Sequence, residues 1–139
     1  MNTTTAPSSS TRSLAGTPRV PLISIVDDDE SVRQALKSLI DSVGFRAVDF
    51  GSGEEFLASP YVSQTDCLIT DVRMPGMSGL DLQDHLNAAH LSIPIVFISA
   101  HDDSEARARG LRAGAVDFLK KPFSEDSLLG AISACLDKR

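Results

Sequence analysis

Six polar residues of this chain could act together: the acids Asp27, Asp28 and Asp71, the hydroxyl of Ser99, the amine of Lys121 and a third neighbouring acid, Asp29. Several carboxylates gathered within a few ångströms cannot all ionise comfortably, so such a set either raises its own pKa values or holds a hard divalent cation. Magnesium is the natural candidate, because it takes few carboxylates, keeps several waters and accepts a phosphate oxygen. A phosphoryl group arriving at Asp71 would meet the metal on one side, the Lys121 ammonium on another and the Ser99 hydroxyl on a third. An aspartate carboxylate can attack phosphorus in line to give an aspartyl phosphate, and the work left to the protein is positioning and electrostatics.

Taken singly, each residue has an ordinary explanation. An acidic run before a helix supplies a cap and favourable charge at the helix N-terminus, and we keep that reading for Asp29 and Glu30. An aspartate at a strand end is usually a turn or cap residue, and a lysine before proline is usually solvated. The joint placement is what demands chemistry, and it depends on the elements that carry these residues.

Short apolar runs alternate with helical patterns from Pro21 onward, the signature of βα units and a parallel sheet. Strands are expected at 22–26, 46–50, 67–70, 93–98 and 115–119, with Asp71 ending the third and Pro94 tolerated near the start of the fourth. Helical spacing joins Val32, Ala35, Leu36, Leu39, Ile40 and Val43, ended by Gly44 as a left-handed cap. A short helix runs through Glu54, Phe56 and Leu57. Past the turn formers Pro75, Gly76 and Gly79, a third helix carries Leu82, Leu86 and Ala89 on one face. An arginine-rich helix with a thin apolar face spans about 103–111, and a last helix, capped by Ser124, buries Leu128, Leu129, Ile132, Cys135 and Leu136. Continuous apolar strands imply helices on both sheet faces, a doubly wound α/β fold in which ligands sit beyond the carboxyl ends of the strands. Asp27, Asp28, Asp71, Ser99 and Lys121 then share one sheet edge.

The 139 residues, 42% hydrophobic and 23% charged, fit one globular domain that needs no staple to fold. Residues 1–20, rich in Ser, Thr, Pro and Gly, are read as a disordered tail, and residues 21–139 as the domain. Cys67 and Cys135 lie in apolar surroundings without metal-ligand spacing and are expected to be reduced core thiols. The longest apolar run, Ile93 to Ile98, is far short of the roughly 20 residues that span a bilayer, and no secretory h-region follows Arg12 or Arg19. A cytoplasmic protein without membrane contact is expected. From residue 21 on, 11 basic residues stand against 19 acidic ones, a net charge of −8, which disfavours direct nucleic-acid binding by this domain.

The sequence resembles the receiver domain of bacterial two-component response regulators from Pro21 to about Leu136. VDDDESVR at 26–33, TDVRMPGMSGLDL at 70–82, PIVFISA at 94–100 and AGAVDFLKKPF at 113–123 stand at the family's positions and spacing. The wording is that of receivers that commonly carry a helix-turn-helix output domain. The resemblance implies a flavodoxin-like (βα)5 fold with strand order 2-1-3-4-5. It implies Asp71 as phosphoryl acceptor and metal ligand, Asp27 and Asp28 as the acid pair for Mg2+, and the Arg73 backbone carbonyl as a further metal ligand, with the Arg73 side chain tuning dephosphorylation. It assigns Ser99 and Phe118 to the conformational switch and the phosphate contact to Lys121 rather than Lys120, before a Pro122 that is usually cis. Asp29 has no required role. Phe118 stands where many members have Tyr, which removes a hydroxyl but not the packing part of the switch. His101 lies near where members tune phosphoryl lifetime.

The resemblance implies a switch, not a turnover enzyme: a histidine kinase or phosphotransfer protein supplies the phosphoryl group, and the domain transfers it to Asp71 and later loses it. A homodimer through the helix 4, strand 5 and helix 5 face would follow, Arg107, Arg109 and Arg112 being either salt-bridge partners for it or an ordinary solvated helix face, and transcription would be controlled through an output domain absent from this chain. A stand-alone regulator acting by protein contacts stays open, since Leu136 to Arg139 reads equally as a linker or a terminus. A Mg2+-dependent phosphatase would want a carboxylate two residues past the nucleophile, where Arg73 stands. A silent receiver that only binds partners is disfavoured by the complete residue set.

Overall fold

The computed structural model describes residues 19–138; the stretch read as a tail lies, apart from residues 19 and 20, outside them. In chain order the elements are β1 (Leu22–Val26), α1 (Glu30–Ser42), β2 (Arg46–Phe50), α2 (Gly53–Ala58), a 3-10 turn at Val62–Gln64, β3 (Cys67–Asp71), α3 (Gly79–Ala88), β4 (Ile95–Ser99), α4 (Ser104–Arg112), β5 (Asp117–Lys120) and α5 (Glu125–Lys138). The strands form one parallel sheet in the order β2-β1-β3-β4-β5. This is the doubly wound architecture expected from the alternation, in the flavodoxin-like strand order that the resemblance implied.

Every residue of β1, β3 and β4 is buried, which is why these strands read as unbroken apolar runs rather than as alternating ones. Alternate side chains feed two cores. Ile23, Ile25, Cys67, Ile69, Val96 and Ile98 pack with Leu36 and Ile40 of α1 and with Leu128, Ile132 and Cys135 of α5. On the other face Leu68, Ile95, Phe97 and Phe118 meet Phe56 of α2, Leu80, Leu82 and Leu86 of α3 and Ala106 of α4. Each fully buried Leu, Ile or Phe contributes about 1.5–3 kcal/mol, so α1 and α5 on one face and α2 and α3 on the other are firmly anchored to the sheet. The cysteines are free and buried, and the neighbouring Cys135 together with burial pushes the Cys67 thiol well above its ordinary pKa.

The boundaries differ from expectation where backbone chemistry overrides the apolar pattern. β4 starts at Ile95, because Pro94 joins the sheet only as an acceptor, its carbonyl taking the Leu68 N–H at 2.9 Å. β5 starts at Asp117, because the Ala115 N–H still closes the end of α4 on Gly110 O. On α1, Ala35 and Val43 are exposed, so the core stripe is narrower than its apolar spacing. On α3, Ala89 is an exposed C-cap, and the buried face is completed instead by Gln83, whose Nε2 donates to Gly110 O at 2.9 Å. The Gly44 cap, at φ +90°, and the Ser124 cap, whose Oγ accepts from Ser127 N at 3.0 Å, form as expected.

Candidate functional site

The parallel register carries the candidate residues to one end of the sheet. Asp27 directly follows β1, Asp71 ends β3, Ser99 ends β4, and Lys121 follows β5. Asp71 pairs with Ile98 across β3 and β4, so Ser99 lies one residue beyond it on the neighbouring strand.

Asp27 is fully buried and Asp71 is 8% exposed, while Asp28 stands in solvent. One carboxylate oxygen from each of the three lies within 4.8 Å of the others. Lys121 Nζ donates to Asp27 Oδ2 at 3.0 Å and sits 3.4 Å from Asp71 Oδ2, a protein cation placed between two buried acids. Burial and the charge of Asp27 push the Asp71 carboxyl up, with Lys121 opposing them. Burial works against the Lys121 charge, but the bond to Asp27 and the charge of Asp71 outweigh it and raise the amine. The cluster therefore holds more negative charge than one lysine neutralises, and an all-oxygen donor set this compact, with one member open to solvent, fits Mg2+.

Asp29 belongs to the helix. Its Oδ1 accepts from Ser31 N at 2.9 Å and Ser31 Oγ at 2.7 Å, bonds that lower its pKa, and its own N–H donates to Asp27 Oδ1 at 2.9 Å. The Arg73 amide is 3.4 Å from Asp71 Oδ1, while its guanidinium turns away and pairs with Asp103, the N-cap of α4. Ser99, fully buried, exchanges hydrogen bonds with the backbone of the exposed His101. Phe118 points into the core with its ring centroid 6.1 Å from that of Phe97. Lys121 is the lysine at the acids, its N–H donating to Ser99 O at 2.7 Å and its peptide to Pro122 cis. Lys120 lies instead 4.0 Å from the exposed Asp102. On α4, Arg109 is paired with Asp84 of α3, and Arg107 and Arg112 are exposed.

Two contributors escaped the sequence reading. Gly79, read only as a turn former, starts α3 so close to the acceptor strand that a Cβ there would lie 2.1 Å from Asp71 O. Arg33 sends Nη1 to Asp27 O at 2.8 Å and Nε to Asp49 Oδ2 at 2.8 Å. Its place within VDDDESVR was a signal, but its partner on β2 was not legible from spacing.

Comparison with known proteins agrees with this geometry. A model of the "Response regulator receiver domain" matches residues 23–133. Nodulation protein W of Bradyrhizobium diazoefficiens is 44% identical over 117 residues, covering 84% of this chain and 52% of that protein. Response regulator protein TodT of Pseudomonas putida is 49% identical over 118 residues, covering 85% and 52%. The chain thus spans about half the length of these curated relatives. The crystal structure of FixJ-N superposes with a TM-score of 0.80 at 34% identity, covering 88% of this chain and 98% of that one. With sequence, topology and the acidic sheet edge in agreement, the chain belongs to the response regulator receiver domain family of two-component signalling, related to regulators of transcription.

Proposed function

We propose that residues 21–139 form a phosphorylation switch in which a histidine kinase or phosphotransfer protein delivers a phosphoryl group to Asp71. The observation that carries this reading is the compact set Asp27, Asp28 and Asp71 with Lys121 Nζ between two of its members. A carboxylate oxygen of Asp71 attacks phosphorus as the bond to the donor's imidazole nitrogen breaks, and that nitrogen leaves with the electron pair. Asp27, Asp28 and Asp71, with the Arg73 carbonyl, would hold Mg2+, which when bound neutralises charge on the phosphoryl oxygens. Lys121 shifts from the acids to a phosphoryl oxygen, and its raised pKa keeps it charged for that contact. The domain catalyses its own modification and its reversal without turning over an external substrate.

The new charge draws the Ser99 hydroxyl from His101 toward the phosphoryl group, and Phe118 repacks, altering the face formed by α4, β5 and α5. That face pairs two copies of the domain and passes the signal to transcription through an output domain. Such a cycle suits the cytoplasm; no helix among the described residues is long and apolar enough to cross a membrane.

The test is the intact mass of the chain after incubation with acetyl phosphate and Mg2+, read beside Asp71→Asn on a sizing column. One phosphoryl adduct that needs Mg2+ and is absent in the variant is expected, with a shift toward dimer. An adduct that persists in Asp71→Asn would overturn the assignment.

A further inference from the structure

Asp28 is the exposed member of the acidic cluster, and among the described residues its side chain has no hydrogen bond or ion pair of its own. What the fold fixes of it is therefore its starting point, the backbone it hangs from. The peptide that joins it to Asp27 is gripped by one side chain. Arg33 Nη1, reaching from the first turn of α1, donates to the Asp27 carbonyl at 2.8 Å.

Arg33 is itself held. Its Nε donates to Asp49 Oδ2 at 2.8 Å, and the other Asp49 oxygen receives Lys37 Nζ at 3.2 Å. The Arg33 and Asp49 side chains are only 16% and 18% exposed. Burial works against the Asp49 charge, but the bonds from Arg33 and Lys37 outweigh it and hold its carboxyl below the usual range. A planar guanidinium fixed at one edge has a defined direction at the other, which a lysine ammonium could not reproduce.

We propose that Arg33 is a positioning residue for the cation site: braced by Asp49 at the end of β2, it pins the Asp27 carbonyl and so aims the Asp28 carboxylate at Asp71. This rests on the reading of the acidic cluster as a Mg2+ site. Outer partners that orient ligands in this way typically change metal affinity 10–100-fold. The sign of the effect separates this role from a bystander charge. A cation near a metal site opposes binding, so deleting Arg33 for its charge alone would tighten Mg2+; deleting a brace loosens it.

The experiment is calorimetric titration of Mg2+ into the wild-type chain, Arg33→Met, Arg33→Lys and Asp49→Asn, with thermal unfolding of each recorded without metal. The Mg2+ dissociation constant is expected to rise about tenfold in Arg33→Met, to rise in the same direction but less in Asp49→Asn, and to remain raised in Arg33→Lys. An unchanged or tighter constant in Arg33→Met overturns the proposal, even if its melting temperature falls, since that would be a structural role alone. Wild-type affinity in Arg33→Lys also overturns it, because charge would then suffice. If Arg33→Met does not fold, Asp49→Asn decides: weaker binding supports the brace and wild-type affinity refutes it. A wild-type chain that takes up no Mg2+ overturns the metal reading, an outcome distinct from the others.

Discussion

Two aspartates five residues apart bracket β3 and have been put to opposite uses. Asp66, before the strand, is 6% exposed and its two oxygens are filled by the protein: Leu22 N–H donates to Oδ2 at 2.8 Å and Arg19 Nη2 to Oδ1 at 2.7 Å. Asp71, at the far end, is 8% exposed, yet it faces another buried acid and shares a single lysine with it. The first carboxylate is a joint that ties β1 to the start of β3. The second is left in electrostatic deficit, and a buried acid beside another acid is the usual mark of a site that awaits a cation or a reaction.

The largest expected effect separates the two by chemistry. Asp71→Asn should abolish the acetyl-phosphate adduct while Asp66→Asn retains it, as read by intact mass; an adduct lost equally in both would erase the contrast. Next comes metal linkage. At a Mg2+ concentration a hundredfold above its dissociation constant the wild-type domain should gain about 2.7 kcal/mol in urea unfolding, and Asp71→Asn distinctly less. Third, Asp66→Ala should cost about 1–3 kcal/mol without metal, because it strands a buried backbone N–H, whereas Asp71→Asn should cost nothing or stabilise.

The smallest effect is in pH. Because the folded Asp71 carboxyl titrates above its unfolded value of about 3.9, the folded state binds the extra proton, and the contribution of this group to stability declines as pH rises through that window. The metal-free stability deficit of wild type against Asp71→Asn should thus be present at neutral pH and close as pH falls toward about 3.9. A deficit that widens on acidification would contradict the sign.

The chain-level logic of this contrast was legible in part. Strands buried on both faces announce themselves as apolar runs, and residues that end such runs, Asp71 and Ser99 among them, are thereby located at one edge without any knowledge of packing. Asp66 was not legible as a joint, because its partners Arg19 and Leu22 are 47 and 44 residues away and Arg19 stands within the stretch read as a tail. Arg33 was hidden for the same reason, since its brace lies on the neighbouring strand. Gln83 was overlooked because helical spacing counts apolar side chains, and the buried contact it makes is polar and reaches another helix. Gly79 was recognised as a turn former, but the 2.1 Å that excludes a side chain there is a property of two backbones meeting.

α4 has a mechanical consequence. It buries only Ala106 and Gly110, and a Cβ on Gly110 would already come within 2.9 Å of the Phe97 ring. Having no large apolar side chain in the core, it gains almost nothing from dispersion or desolvation and is held chiefly by polar ties to α3: Gln83 to Gly110 O, Asn87 to Ala113 O, and Asp84 to Arg109. The Asn87 and Asp84 ties are exposed and exchange readily with water, which leaves the buried Gln83 bond as the main polar anchor, so a displacement of α4 forfeits less apolar burial than moving α1 or α5. The sheet is accordingly gripped by large apolar side chains along the layer of α1 and α5 and only by small ones along α4, so the two walls differ in how much burial a displacement would forfeit.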